Sequence, residues 1–426
     1  MTDFIIPKEA PALTPLKESR WDRMARQTVL SLLNKLKYGA IRIIEDSRRF
    51  PGGEDADLKA TVFVHHPRFY SRILFNGSIG AAEAYMEGLW SADDLTAVMR
   101  IMALNQPVFS AMEKGIARLT APLYRLYHLA RKNTKSGSRK NILAHYDLGN
   151  DFYALFLDPT MTYSCGIFET QQSTLEAASI AKYDRICKKL ELKAGDRVVE
   201  IGTGWGGFAL HAAQHYDVHV TTTTISNAQH RFAAERFQEA GLQDRITLLK
   251  KDYRDLKGRF DKLVSIEMIE AVGHQYFNTF FKVCSRLLKE TGMMLLQAIT
   301  IRDQEFKRYI HSVDFINRYI FPGGCLPSIA AMADAVTRAT DLKIFHLEDI
   351  TPHYARTLRE WRRRFFNNIE TVRAMDFPET FIRMWEYYLC YCEGGFAARV
   401  IGDVQVLLTK PLCRREPLLP PLPDSR

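Results

Sequence analysis

The chain has 426 residues, of which 46% are hydrophobic and 25% charged. These proportions are those of a globular protein and exclude a chain that is disordered throughout. The formal net charge of +9 favours a polyanionic partner, and nucleic acid and an anionic lipid surface are the two usual candidates. A chain of this length predicts two domains, each able to bury its own core.

The first residues, 1 to about 20, contain Pro7, Pro11 and Pro15 and no periodic apolar face, which predicts a loosely ordered start. They lack the apolar core of a secretory signal, and no later run approaches the roughly 18 apolar residues of a membrane span. We therefore expect a cytoplasmic protein. The seven cysteines are scattered, without CxxC pairs or zinc-ligand spacing, so we predict neither a disulfide framework nor a metal site.

A small α+β domain is predicted for residues 1–130. Apolar positions at helical spacing predict a helix from Trp21 to about Leu36. Two short strands, Ala40–Ile44 and Ala60–Val64, are expected on either side of the turn-forming sequence PGGEDAD. Residues 79–104 have a helical pattern and are predicted to complete the domain.

The polar and basic residues 131–140, RKNTKSGSRK, are the predicted linker; a surface loop inside one domain is the alternative. In residues 141–412 apolar strands alternate with amphipathic helices, the pattern of an open, mostly parallel sheet covered on both faces. The Pro-rich residues 413–426 are predicted to form a disordered tail. The predicted elements are strands at Arg197–Ile201, Val218–Thr224, Ile246–Lys250, Lys262–Ile266 and Met293–Ile299, and a helix at Asn227–Ala240.

The first of these strands runs into the glycine-rich sequence GTGWGG. Gly202 and Gly204 let the backbone turn tightly and approach a bound nucleoside. Dinucleotide sites share this pattern, but the next strand ends in Thr-Thr-Thr-Ile-Ser and offers no acid for the ribose of NAD. Glu200 stands where methyltransferases place an acid near the amino acid end of S-adenosylmethionine. The turn therefore favours S-adenosylmethionine and a Rossmann-like class I methyltransferase sheet.

Several motifs in one order resemble the cyclopropane fatty acyl phospholipid synthase family of S-adenosylmethionine-dependent fatty acid methyltransferases. They cover essentially the whole second domain. The motifs are HYDLGNDFYALFLDPTMTYSCGIF from His145, EIGTGWGGF from Glu200, TISNAQ from Thr224, SIEMIEAVGHQYF from Ser265, RYIFPGGCLPS from Arg318, TLREWRRRF from Thr357 and FIRMWEYYLCYCEGGF from Phe381.

The resemblance implies that a methylene group is added across the double bond of an unsaturated acyl chain on a membrane phospholipid. It also implies a lipid-binding role for residues 1–130, and hence a peripheral position at the inner face of the membrane. A homodimer is left open. The implied cofactor contacts are Tyr163, Ser164, Gly202, Gly204, Thr224, Ile225 and Gln229.

The reaction implied is demanding, because an alkene is a poor nucleophile that must be held in line with the methyl group away from water. Attack leaves a carbocation, and ring closure needs a base that removes a proton from the new methyl. In the family this base is thought to be a bicarbonate ion. By motif position Cys165 and Glu270 would help to hold it, with Glu270 preferred to Glu267. The simpler alternatives are a packed cysteine and a surface carboxylate.

Three residues raise questions about the product or mechanism. Gln297 and Arg362 stand where the bacterial pattern has a histidine and a tyrosine. Both side chains still donate hydrogen bonds to an anion, and the pair is similar to that of plant cyclopropane synthases and of mycobacterial enzymes that make a branched methyl. Cys392 matches a family cysteine sometimes considered catalytic, although packing is its simpler role. A methyl- or methylene-branched product therefore stays open.

Three other functions share some of these sequence features. A methyltransferase of the same fold could modify an amine. A nucleic-acid-binding protein is disfavoured because the basic residues are dispersed and no base-stacking module is evident. A lipid-binding member without turnover is disfavoured by the presence of Glu200, Cys165 and Glu270.

Overall fold

The computed structural model describes residues 19–45, 48–50, 57–108 and 148–418. The predicted linker, residues 131–140, lies outside these ranges. Within them, no helix is both long and apolar enough to cross a bilayer.

The described elements are numbered in chain order. The strands are β1 (Ala40–Glu45), β2 (Arg48–Phe50), β3 (Lys59–Val64), β4 (Trp90–Ala92), β5 (Arg197–Ile201), β6 (His219–Thr224), β7 (Ile246–Lys250), β8 (Phe260–Ile266), β9 (Leu288–Ile301), β10 (Lys343–Asp349) and β11 (Ile401–Thr409). The helices are α1 (Arg20–Leu33), α2 (Arg68–Met86), α3 (Leu95–Leu104), α4 (Asn150–Ala154), α5 (Leu175–Lys189), α6 (Gly207–Tyr216), α7 (Asn227–Glu239), α8 (Phe277–Leu287), α9 (Asp303–Tyr309), α10 (Ile329–Ala339), α11 (Thr351–Asn367), α12 (Ile369–Ala374) and α13 (Glu379–Ala397).

The chain forms two compact units that are not continuous in sequence. The first comprises residues 1–130, 312–320 and 358–400, and the second comprises 131–311, 321–357 and 401–426. The expected division at a single linker therefore differs from the structure, because residues 312–320 and 358–400 belong to the first unit. Close packing of α13 on α3 is one reason, because a Cβ on Gly394 would lie 2.7 Å from the Cβ of Met99.

The first unit contains a four-stranded sheet in the order β2-β1-β3-β4, with β1 and β3 parallel. The predicted strands of this unit and its first helix are confirmed to within a few residues. The continuous helix predicted over residues 79–104 is wrong, because β4 interrupts it and Trp90 pairs with Val64. Gly88, at φ +77°, makes the turn after α2, and a three-residue strand is too short to show alternation.

The second unit is built on a seven-stranded sheet in the order β10-β11-β9-β8-β5-β6-β7. Its strands are parallel except β11, which is antiparallel to both of its neighbours. Alternate residues enter separate cores, with Val199 and Leu296 in one and Val198 and Leu295 in the other. This burial of both sheet faces confirms the predicted Rossmann-like, mostly parallel α/β sheet, and the first unit is the predicted smaller α+β domain.

The sequence pattern did not predict two strands of this sheet, β10 and β11.

The structure also describes the start of the predicted tail, residues 413–418, and shows that it is packed. Leu418 contacts the second core cluster, and Arg415 pairs with Glu191. The ordered chain therefore extends past residue 412, because these side chains find both apolar and charged partners on the second unit.

Candidate active site

The glycine-rich turn connects β5 to α6 at the carboxyl edge of the sheet. Gly202, Gly204 and Gly206 all have positive φ, at 101°, 53° and 89°. A Cβ on Gly202 would lie 3.1 Å from Met268, and one on Gly206 would lie 2.7 Å from the ring of Phe237. The turn therefore needs glycine for both its conformation and its close packing. Glycines without side chains also let the backbone of the turn approach the nucleoside part of S-adenosylmethionine closely.

Glu200 is buried on β5, two residues before this turn. Its Oε2 accepts a hydrogen bond from the Thr222 hydroxyl at 2.5 Å, and Thr222 also contacts the Thr203 hydroxyl at 2.6 Å. Burial raises the pKa of the Glu200 carboxyl to about 8, although the Thr222 hydrogen bond opposes this shift. The carboxyl is therefore protonated at neutral pH until a cationic ligand approaches it.

Replacing Glu200 with Gln should change how stability depends on pH. The folded state holds this proton more tightly than the unfolded state, in which the pKa is about 4.3. The wild type should thus lose stability relative to Glu200→Gln as pH rises from about 5 to about 8, by a few kcal/mol. Urea unfolding at both pH values measures this difference. The exposed Glu235→Gln should follow the wild type, and a constant gap between wild type and Glu200→Gln would refute the assignment.

The predicted cofactor residues of the second strand lie at the same sheet edge. Thr224 ends β6, and its hydroxyl donates to Gln229 Oε1 at 2.8 Å. The Ser226 hydroxyl caps α7 by accepting from the Gln229 backbone N–H, and the half-buried Ile225 lies between them. Because β6 is parallel to β5 and adjacent to it, this turn and the glycine-rich turn can line one site.

The segment that precedes α5 supplies the other two predicted cofactor residues. The ring of Tyr163 lies 5.4 Å from Tyr153 and 6.5 Å from Trp205, which belongs to the glycine-rich turn. The Ser164 hydroxyl accepts a hydrogen bond from Lys182 Nζ at 2.6 Å. The structure therefore brings Tyr163 beside the turn, and it adds Lys182, a fully buried lysine that the sequence patterns did not indicate. Actual contacts with the cofactor stay predictions.

Glu267 lies at the centre of a buried polar cluster just after β8. Its Oε1 accepts hydrogen bonds from the Cys165 backbone N–H and from Gln297 Nε2, both at 2.8 Å. Its Oε2 accepts from the Tyr354 hydroxyl at 2.5 Å. Burial raises the pKa of Glu267, and these three donors oppose that shift. The motif positions favour Glu270 over Glu267, yet Glu267 is the carboxylate that connects Cys165 to Gln297.

Asp403, on β11, is the second carboxyl of this cluster. Its Oδ2 accepts from Gln297 Nε2 at 3.2 Å. Its Oδ1 is buried and has no hydrogen-bond partner among the described residues. Burial, then the charges of Glu267 and Glu270, raise the pKa of Asp403 well above its usual range. Burial therefore favours the neutral form of the Asp403 carboxyl beside Glu267.

Glu270 lies three residues beyond Glu267 in a short 3₁₀ turn. Its Oε1 accepts from the Ile299 backbone N–H at 2.5 Å, whereas its Oε2 is buried without a partner in the described part of the chain. Burial and the nearby Glu267 charge raise the pKa of Glu270 to about 8. Glu270 is thus a carboxyl that can both give and take a proton near neutral pH.

The thiol of Cys165 is buried, and its Sγ donates to the Gly166 carbonyl at 3.2 Å. Burial, followed by the charges of Asp403 and Glu267, raises the pKa of this thiol well above its usual range. Burial therefore disfavours the thiolate, which is the reactive form of cysteine. The backbone N–H is the group that joins Cys165 to the Glu267 carboxylate, and a catalytic role for Cys165 stays a prediction.

Arg362 and Cys392 are placed differently from the other predicted catalytic residues, because both belong to the first unit. Arg362 donates to Glu393 Oε2 through Nε at 3.2 Å and through a terminal nitrogen at 3.1 Å. Glu393 also pairs with Arg359. Cys392 is half-buried, and burial raises the pKa of its thiol. Catalytic roles for Arg362 and Cys392 stay predictions.

Comparisons with known proteins identify a family. The model of the mycolic acid cyclopropane synthetase family matches residues 133–406. The chain is 39% identical to the tuberculostearic acid methyltransferase of Mycobacterium tuberculosis over 83% of this chain and 84% of the relative. It is 38% identical to the cyclopropane-fatty-acyl-phospholipid synthase of Escherichia coli over 84% of this chain and 89% of the relative.

Solved structures agree with this family. The cyclopropane synthase MmaA2 from Mycobacterium tuberculosis matches with a TM-score of 0.59 and 32% identity over 64% of this chain and 98% of that chain. The mycolic acid cyclopropane synthase CmaA1, complexed with SAH and CTAB, matches with a TM-score of 0.60 and 33% identity over the same shares. The family resemblance is confirmed, and S-adenosylmethionine is the cofactor that it supports. The protein belongs to the mycolic acid cyclopropane synthetase family and is an S-adenosylmethionine-dependent lipid methyltransferase.

Proposed function

We propose that the protein adds a methylene group across the double bond of an unsaturated acyl chain on a phospholipid, forming a cyclopropane ring. The main support for this proposal is the state of the Glu270 carboxyl. Its pKa is raised to about 8, and one of its oxygens is buried without a partner among the described residues. It supplies the proton exchange that ring closure requires. The Escherichia coli relative, whose name states this phospholipid product, adds support.

The residues at the sheet edge have separate tasks in this proposal. Bound S-adenosylmethionine supplies an electrophilic methyl group. Tyr163, Ser164, Glu200 and the two turns that follow β5 and β6 would hold it. Cys165, Gln297 and Asp403 are completely buried, so water is excluded from their side of the reaction centre, which a carbocation requires.

A bicarbonate ion as the base is part of the same proposal. When bicarbonate removes the methyl proton, the Oε2 of ionised Glu270 can accept the hydroxyl proton of the bicarbonate, so that the proton ends on the Glu270 carboxyl. Gln297 is less suited to direct contact than the sequence suggested, because its Nε2 already donates to Glu267 and Asp403 and its Oε1 accepts from Gln405. We therefore assign the direct contact to Glu270 and a supporting role to Gln297.

A peripheral position at the inner face of the membrane follows from the proposed substrate. In the first unit, α1 exposes Trp21 (62%) and Met24 (39%) beside the exposed Arg20 and Arg23. Aromatic and basic side chains on one helix favour the interface of an anionic bilayer. This surface supports the proposed lipid-binding role of the first unit; a homodimer is also compatible with the proposal.

A methyl- or methylene-branched fatty acid is the second candidate product. The relative named tuberculostearic acid methyltransferase is as similar to this chain as the cyclopropane synthase is, at 39% and 38% identity. Gln297, in place of the family's histidine, also leaves the fate of the carbocation open.

Expression in cells without cyclopropane lipids tests both candidates. We expect the unsaturated phospholipid acyl chains to gain the mass of one CH₂ unit, with ring methylene signals by NMR. An exocyclic methylene or a methyl branch would instead support the second candidate. Unchanged lipids in cells that contain the folded, S-adenosylmethionine-binding protein would overturn the proposed function.

A further inference from the structure

A chain of buried hydrogen bonds leads from Lys189, the last residue of α5, to the Glu267 cluster. Lys189 Nζ donates to Gln405 Oε1 at 2.8 Å, and Gln405 Nε2 donates to Gln297 Oε1 at 3.0 Å. Gln297 Nε2 then donates to Glu267 at 2.8 Å and to Asp403 at 3.2 Å. Lys189 is 6% exposed and both glutamines are fully buried, so water does not compete for these bonds.

The strand register places the two glutamines side by side. Gln405 on β11 is directly opposite Gln297 on β9, and residues opposite one another in an antiparallel pair point to the same sheet face. Polar side chains on adjacent buried strands are costly unless they are paired. The register of β9 and β11 therefore fixes these two amides next to each other, where each is a hydrogen-bond partner of the other.

The direction of the hydrogen bonds is fixed by chemistry at one end. A lysine ammonium has only donors, so Gln405 must turn its oxygen toward Lys189 and its NH₂ toward Gln297. Gln297 must then accept with its oxygen and present its own NH₂ to the carboxyls. The reverse orientation would place an amide oxygen against Glu267 and Asp403 and would leave the Lys189 ammonium facing an NH₂ group.

We propose that Lys189 is a positioning residue for the methyltransferase site, acting through Gln405 to keep the NH₂ group of Gln297 on Glu267. Lys189 does not contact the reacting groups in this arrangement. Its ammonium is itself held by Glu348 at 2.5 Å. The inference rests on the proposed function, because it assumes that the Glu267 and Glu270 region is where methylated product is formed.

The neighbouring Arg185 provides a matched control. Arg185 also pairs with Glu348, yet it is about half exposed, and no hydrogen bond joins it to Gln405 in the described residues. Arg185→Gln therefore removes a cation from the same glutamate and leaves the bond from Lys189 to Gln405 intact. A general loss of charge on α5 would affect both variants, whereas a positional effect would appear only at Lys189.

Three variants test the proposal with unsaturated phospholipid vesicles and S-adenosylmethionine as substrates. Lys189→Met should lower kcat about 10-fold or more through misplacement of the amide, with little change in KM for S-adenosylmethionine. The acidic limb of its pH–rate profile should move to higher pH, because Glu267 loses a donor that favours its charged form. Lys189→Gln, whose NH₂ can still donate to Gln405, should recover most of the activity, and Arg185→Gln should match the wild type.

A kcat and pH profile of Lys189→Met equal to those of Arg185→Gln would overturn the inference. If Lys189→Met does not fold, Gln405→Glu gives the same readout, since it keeps a partner for Lys189 but offers Gln297 no donor. In that case an unchanged profile for Gln405→Glu would count against the proposal. Wild-type protein that methylates no phospholipid would instead refute the proposed function itself.

Discussion

Glu270→Gln should lower kcat for methylated phospholipid by about 10²–10⁴-fold, the usual contribution of a positioned proton-transfer group. Burial raises the pKa of this carboxyl to about 8, whereas an amide of the same shape neither gives nor takes a proton. The amide can still accept from the Ile299 N–H, so the 3₁₀ turn should stay in place. Single-turnover assays with saturating S-adenosylmethionine measure the effect on chemistry without the binding step.

The control for this substitution is Glu290→Gln, an exposed glutamate on β9 that should behave as the wild type. Calorimetric binding of S-adenosylmethionine to Glu270→Gln should also be close to wild type, because Glu270 is outside the two turns assigned to the cofactor. A Glu270→Gln rate above a tenth of the wild-type rate would show that Glu270 does not exchange the proton. Loss of cofactor binding would mean that the residue has a different task.

The fold was predictable where the signal is local. An apolar run that enters GTGWGG shows β5, the turn and the start of α6 together, since glycine is required at each positive φ. In contrast, β11 carries the fully buried Asp403 and Gln405 at positions where an amphipathic strand would face water. Polar residues at these positions prevent the sequence pattern from indicating a buried central strand. Their burial becomes favourable only through their partners on β9 and α5, which the pattern does not show.

The candidate site also has one part that the sequence could predict and one part that it could not. The cofactor residues near Gly202 and Thr224 follow parallel neighbouring strands, so their proximity could be expected from the strand pattern. The Glu267 cluster joins Cys165, Gln297 and Asp403 through the sheet order, across more than two hundred residues of sequence. Motif positions identified Glu270 but carried no information on which carboxylate the buried donors would contact.

The discontinuous division of the chain was not predictable from composition. Residues 358–400 continue the family motifs, which favoured placing them in the second domain, and they have no linker-like sequence at either end. Their place in the first unit depends on tertiary contacts such as the hydrogen bonds from Arg383 to the carbonyls of Tyr85 and Trp90. Such contacts between distant segments leave no periodic signal.

Glu267→Leu should be less stable than Glu267→Gln by about 3 kcal/mol or more. Both variants remove the buried charge, so the cost of its desolvation cancels in the comparison. Leucine leaves the Cys165 N–H, the Gln297 NH₂ and the Tyr354 hydroxyl without their acceptor, at about 1–3 kcal/mol for each buried donor. Glutamine keeps an oxygen for the first two groups, and its NH₂ can donate to the tyrosine hydroxyl, which also accepts.

Urea unfolding of the two variants at one pH measures this difference directly, and thermal melting should place the leucine variant several degrees lower. Equal stability would mean that water reaches the three donors once the carboxylate is removed, and the cluster would then be less enclosed than its burial indicates. A stable but inactive Glu267→Gln would separate two contributions of the same carboxylate. Its hydrogen bonds would be needed for the fold, and its charge, which raises the pKa of Glu270, for the reaction.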